Sequence, residues 1–203
     1  MIVVSKGEET RQAILVRAFE LATVVGVSGL TIGRLAEETG LSKSGLFAHF
    51  GSKEALEVAV VEEASRQFVQ EVMVPALRER RGEPRLRAVF ERWLKWGERP
   101  GGCFFVAACT ELDDRPGPPR DALVRAQKDW IDDLAKAVRI AISEGHFRTD
   151  LDPEQFAFEL YSIMLGTHLF SRFLHAPATS ARTHEAFERL VSAARPTSVP
   201  RSR

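Results

Sequence analysis

The stretch Thr31-Ile-Gly-Arg-Leu-Ala-Glu-Glu-Thr-Gly40-Leu-Ser-Lys-Ser-Gly-Leu-Phe-Ala-His-Phe50 decides how the chain reads. Its apolar residues recur at helical spacing in two short runs, Ile32, Leu35 and Ala36, then Leu46, Phe47 and Phe50. Thr31 and Ser42 stand where N-caps belong, because a hydroxyl oxygen there accepts from an N–H of the first helical turn that has no partner within the helix. Gly40 supplies the left-handed residue that closes the first of the two helices. Two short helices joined through Gly40-Leu41-Ser42, with Leu41 plugging the angle between them, have the spacing of a helix-turn-helix.

In that arrangement the second helix lies in the DNA major groove, and the side chains of its first turn reach the base edges. Here those residues are Ser42, Lys43, Ser44 and Gly45. Lys43 can donate to guanine O6 and N7 or to a phosphate, Ser44 can donate or accept, and Gly45 lets the backbone come close. Residues 41–53 hold Lys43, His49 and Lys53 and no acid, although Glu37, Glu38, Glu54 and Glu57 flank them. An ordinary bend between two bundle helices has the same topology, so spacing alone leaves that alternative open.

Outward from this stretch the helical period continues. A first helix from about residue 9 carries Ile14, Leu15, Ala18, Phe19 and Ala22 on one face and stops at Gly26 and Gly29. Gly51-Ser52 precedes a long helix expected over 53–80. Another holds Leu86, Val89, Phe90, Trp93 and Leu94 up to Arg99-Pro100-Gly101-Gly102; a nearly all-apolar one spans 103–112; and a long amphipathic one runs from Asp121 to Gly145. Asp152-Pro153-Glu154 combines a cap, a first-turn proline and an acid at the positive dipole end, and starts a helix reaching about Leu174. A last helix covers about 180–194. The expectation is an all-α protein of about nine helices: a three-helix head over 1–53, a helical domain over 54–195 entered by a long helix, and a flexible tail over 196–203.

The helix from Pro153 is apolar on two sides, Phe156, Leu160, Ile163 and Phe170 on one and Phe158, Leu165, Leu169 and Phe173 on the other. One core cannot easily cover both, so this helix calls for a second surface, that of another protomer.

Composition narrows the classes. In 203 residues, 28 basic and 28 acidic side chains cancel, so any affinity for nucleic acid must be local. The two cysteines, Cys103 and Cys109, are too few for a disulfide scaffold and six apart on one helix, which suits buried free thiols. The spacing of His168 and His175 brings no third metal ligand, so no metal and no cofactor is expected. HExxH, GxSxG and phosphate-loop motifs are missing, which argues against an enzyme. The first residues are too short an apolar run for a signal peptide and no later run suits a membrane span, so a cytoplasmic location off the membrane is expected.

Thr31–Phe50 followed by Gly51-Ser-Lys-Glu-Ala-Leu56 resembles the DNA-binding signature of the tetracycline-repressor (TetR) family. The resemblance covers about the first 60 residues, and the later helices agree in number and order. It implies a homodimer built on the last two long helices, double-stranded operator DNA as partner, and a small-molecule effector. It implies that Lys43, Ser44, Gly45, Phe47 and His49 face DNA and that Lys53 stands near a phosphate; Thr31, Arg34 and Ser42 complete the expected contact set. Phe47 replaces the tyrosine usual in the family and lacks its hydroxyl, so it packs or touches a thymine methyl. Trp93, Trp96, Phe104, Phe105, Trp130, Tyr161, Met164 and His168 are the candidate lining of an effector pocket for an apolar or aromatic molecule, although aromatics at helical spacing also suit a plain core. The rival function is a helical small-molecule binding or interaction protein whose head has weak or lost DNA binding.

Overall fold

Both expected caps are made. Thr31 Oγ1 accepts from Arg34 N–H at 3.2 Å, Ser42 Oγ accepts from Gly45 N–H at 3.1 Å, and Gly40 closes the helix between them at φ 68°. The computed structural model describes residues 6–196, and among them nine helices and no strand. These are α1 (Lys6–Val25), α2 (Ile32–Thr39), α3 (Lys43–Phe50), α4 (Lys53–Phe68), α5 (Glu83–Trp96), α6 (Phe104–Leu112), α7 (Pro118–Ser143), α8 (Pro153–His168) and α9 (Thr179–Ala194). The flexible tail expected over 196–203 lies, beyond Pro196, outside the described residues.

The helix expected over 53–80 is shorter and not uniform. After Phe68 it widens into a π turn, Val69–Met73, and ends in the single α turn Val74–Ala76. Pro75 explains the change: it has no N–H to donate and its ring crowds the carbonyl four residues back, so the regular ladder cannot continue. A second π turn, Leu169–Phe173, follows α8. There the hydroxyls of Ser162, Thr167 and Ser171 each donate to the carbonyl four residues back, which competes with the backbone ladder. At its start α7 takes in Pro118 and Pro119, three residues ahead of the expected Asp121, because a first turn needs no N–H donor.

The described chain divides into two compact units. One holds everything up to Val69 together with Glu98–Gln127; the other holds Gln70–Gly97 and the residues from Lys128 onward. In the first, Leu15, Ala18, Phe19, Leu35, Leu46, Leu56, Val60 and Phe104 are almost fully buried. Phe19 meets Phe104 edge-on at 5.7 Å. In the second, Phe90 stacks on Phe187 at 3.9 Å and Phe147 lies 5.5 Å from Phe156.

Glu63 fastens α1 to α4. Its buried carboxylate accepts from Gln12 Nε2 at 2.8 Å, Arg66 Nε at 2.8 Å and Gln67 Nε2 at 2.7 Å. Burial raises its pKa, but the hydrogen bonds from Arg66, Gln67 and Gln12 outweigh it and hold the carboxyl below its ordinary value of 4.5. The charged form therefore stabilises the fold at every pH above that ordinary value, and the benefit is lost as pH falls through the lower folded value. Glu63→Gln is expected to lower the urea midpoint at pH 7 and to bring it closer to the wild type as the pH falls through the acid range. Parallel curves for the two proteins from pH 7 to pH 3 would remove this role.

Candidate functional site

The solvent face of α3 is a single strip. Lys43, Ser44, Phe47 and Ala48 are exposed, while Leu46 and Phe50 on the opposite side are 0% and 7% exposed. Residues four apart share a helix face, so Lys43 with Phe47 and Ser44 with Ala48 make two adjacent rows, and the strip follows from the same period that buries Leu46 and Phe50. Phe47 is 51% exposed, a large apolar side chain held out to solvent. His49 is half-buried with its ring 6.3 Å from that of Phe50. Ser42 Oγ, besides capping the helix, lies 3.1 Å from Ser44 Oγ, so one of the two hydroxyls donates to the other.

Lys43 is the first residue of α3, where its charge opposes the positive end of the helix dipole and costs a few tenths of a kcal/mol to about 1 kcal/mol. It does nothing for the helix it starts. Among the described residues no carboxylate pairs with Lys43 or with exposed Arg34, so both cations are open to an outside anion. Thr31 is exposed beside Arg34, and Gly45 is half-buried.

Lys53 is placed differently. Its Nζ donates to Ser28 O at 3.1 Å and stands 3.5 Å from Glu57 Oε1. The same turn before α2 is gripped by groups that sequence reading missed. Glu111 accepts from Val27 N–H at 3.3 Å and Ser28 N–H at 2.9 Å. Arg115 donates to Ser28 Oγ at 2.7 Å and to the buried Glu57 carboxylate at 3.4 Å. Gly26 makes room for this grip, since a Cβ there would come within 2.4 Å of the Glu111 carboxylate and its φ is +82°. The only local signal was an acid at the end of an apolar helix, which does not reveal a partner more than eighty residues away.

Comparison with known proteins bears directly on this head and on the helices after it. Residues 14–60 match the family described as bacterial regulatory proteins, tetR family, and residues 82–187 match the tetracyclin repressor-like C-terminal domain. The chain belongs to the TetR family. The HTH-type transcriptional repressor AcnR of Corynebacterium glutamicum is 30% identical over 185 residues, 88% of this chain and 87% of its own. The HTH-type transcriptional regulator SrpR of Pseudomonas putida is 28% identical over 73% of this chain and 68% of its own. A TetR transcriptional regulator from Chloroflexus aurantiacus superposes with a TM-score of 0.81 at 26% identity, over 92% of this chain and 94% of that one. The TetR-family regulator of Cytophaga hutchinsonii shares the fold with a TM-score of 0.84 at 23% identity, over 97% and 100% of the two chains.

The eight candidate effector residues are placed in both units. In the first, Phe105 meets Phe68 edge-on at 5.7 Å and Phe104 at 5.5 Å, so both phenylalanines pack within an aromatic cluster. In the second, Trp93 and Trp96 are buried on α5 and Met164 on α8, with Tyr161 and His168 half-buried on the same helix. Burial pushes His168 below the ordinary histidine pKa, and Arg172 nearby adds to that. Trp130 lines a cavity of about 290 Å3 within the second unit, among Met73, Val89, Leu134 and Ile140. Cys109 accepts from Gln127 Nε2 at 2.9 Å, and burial raises its thiol above the ordinary value, which keeps it protonated. No helix among the described residues is long and apolar enough to cross a membrane, and no three His, Cys, Asp or Glu side chains gather as a metal site would need.

Proposed function

We propose that this TetR-family protein is a repressor that binds a near-palindromic operator as a homodimer and leaves it when a small effector occupies the helical domain. The observation that carries the reading is the exposed strip of α3, where Lys43 faces solvent with no acid partner among the described residues, on a helix capped as a reading helix requires. Residues 1–53 form the DNA head and 54–195 the effector and dimer domain, acting in the cytoplasm where operator DNA is found. Ser42, Lys43 and Ser44 read bases, Phe47 meets a thymine methyl, Thr31, Arg34 and His49 contact the backbone, and Gly45 allows close approach. Lys53 both braces the turn at Ser28 and presents charge to a phosphate.

The second apolar side of α8 and of the π turn after it supports a twofold pair. Phe158 is 67% exposed, Leu165 39%, Leu169 49% and Phe173 78%. Phe170, grouped by spacing with Phe156, Leu160 and Ile163, is 47% exposed and lines a groove of about 220 Å3 with Ile163 and α9. A second copy of the chain covers this face, and its twofold axis sets two reading helices one DNA turn or a multiple of it apart, about 34–36 Å per turn. An effector that binds the DNA-incompetent arrangement more tightly lowers operator affinity by that difference, typically about 1–3 kcal/mol.

Selection from a randomised duplex pool, followed by anisotropy titrations on the winning duplex, tests the reading; enrichment of a palindrome supports it, and no enrichment at low salt overturns it. Lys43→Ala should then weaken binding and relax base choice at one position per half-site, by about 1–3 kcal/mol. Lys53→Ala should weaken all sequences alike and reduce the salt slope by about one per head. Wild-type binding by both variants would refute the mapping.

A further inference from the structure

The cavity beside Trp130 has apolar walls and one basic group whose hydrogen bonds are incomplete. Arg85, in the first turn of α5, lines it. Its Nη2 donates to Leu77 O and Glu79 O, each at 3.1 Å, which fixes the plane of the guanidinium. Its Nε is buried and has no hydrogen-bond partner among the described residues. Among the described residues no carboxylate pairs with Arg85. The cavity's other charged residues cancel each other, since Lys136 Nζ donates to Asp133 Oδ1 at 3.0 Å. The cavity thus carries one excess positive charge, on the planar guanidinium of Arg85.

A buried N–H without an acceptor is costly to the protein alone and is relieved by any ligand that brings one. The fixed plane of the guanidinium suits a carboxylate, which accepts along the N–H direction with charge assistance. One excess charge suits a monoanion. Met73, Val89, Trp130, Leu134 and Ile140 give the rest of the ligand an apolar bed, with an aromatic face available for stacking. About 290 Å3 is at the small end of ligand sites, which commonly span about 300–1,000 Å3, so the ligand is compact. We infer that this cavity binds a small monocarboxylic acid with an apolar or aromatic body, its carboxylate accepting from Arg85. This rests on the reading of the helical domain as the effector domain and names the class of effector.

The test uses the full chain, with thermal shift and intrinsic tryptophan fluorescence as binding readouts and with benzoate, phenylacetate and hexanoate set against benzamide, phenylacetamide and hexanamide. At least one acid is expected to bind about tenfold tighter than its amide, the difference a charge-assisted hydrogen bond makes. Arg85→Gln should erase that preference. Because Arg85 also holds the carbonyls of Leu77 and Glu79, a second variant, Ala137→Phe, leaves Arg85 in place and fills the cavity; it should lose acid binding while still folding. The site is overturned if all three acids fail to bind, if acids and amides bind alike, or if Ala137→Phe binds the acids as the wild type does. Operator affinity is measured separately. Acid binding that leaves it unchanged supports the site and removes acid-driven release, whereas release by another molecule with the acids silent overturns the site alone.

Discussion

Gly166→Glu is expected to leave the protomer folded, to convert the dimer to a monomer, and to lower operator affinity by about a hundredfold or more. Gly166 is on α8 and lines the groove shared with α9, and a Cβ built there meets nothing within 4 Å. The protomer therefore has room for a side chain, and replacing a mid-helix glycine raises helix propensity by up to about 1 kcal/mol. A second copy seated on the groove does not have that room. In a twofold interface one substitution enters twice, so each protomer would bury an unpaired carboxylate against the partner's apolar face. Two heads on one operator gain about 10²–10⁴ over a single head through effective concentration, and this gain goes with the dimer. Sedimentation velocity and anisotropy on one operator read both effects. Phe173→Asp, on the most exposed phenylalanine of the same side, should act in the same direction. A Gly166→Glu protein that sediments as a dimer and binds like the wild type would place the partner surface elsewhere.

An apolar excess on this helix was legible from two stripes, more than a single core covers, and the stripe of Phe158, Leu165, Leu169 and Phe173 is in solvent, together with Phe170 of the other. The head was legible for a similar reason. Caps and turns are local, so Thr31, Gly40 and Ser42 carry their geometry in their own side chains or their lack of one. Other features depend on partners distant in sequence. Glu63 reaches Gln12 across 51 residues, and Glu111 reaches Val27 across 84, with no periodic signal in either acid. Nor can sequence tell a core aromatic from one lining a cavity, because both recur at helical spacing. Phe104 and Phe105 meet other rings, Trp130 faces a cavity, and the arginine that gives this cavity its charge drew no notice in a helix start crowded with charged residues.

Phe187→Ala is expected to cost about 3–5 kcal/mol, lowering Tm by roughly 6–20 °C for a chain of this size. Phe187 on α9 is 1% exposed and stacks on Phe90 of α5, itself 0% exposed, with ring planes 11° apart. Truncation removes the transfer energy of a benzyl group and leaves a cavity between helices held on both sides: Arg87 lies over the Phe187 ring at 5.5 Å and donates to Glu188, while His184 Nε2 meets Glu91 at 3.1 Å. These ion pairs are at the surface and worth little each, so they cannot close the gap. The loss is large against the 5–15 kcal/mol that holds typical domains together. It also reaches the proposed function, because α9 borders the groove proposed for a second copy, and a loosened α9 should then weaken self-association below the wild-type value. Phe90→Ala should cost a similar amount, and the double variant should cost less than the two losses added, since either truncation alone already breaks the stack. Strict additivity in urea unfolding would show that the two rings are stabilised independently of each other, and the energetic link between α5 and α9 would have to be sought in the Arg87 and Arg195 contacts to Glu83 and Glu188 instead.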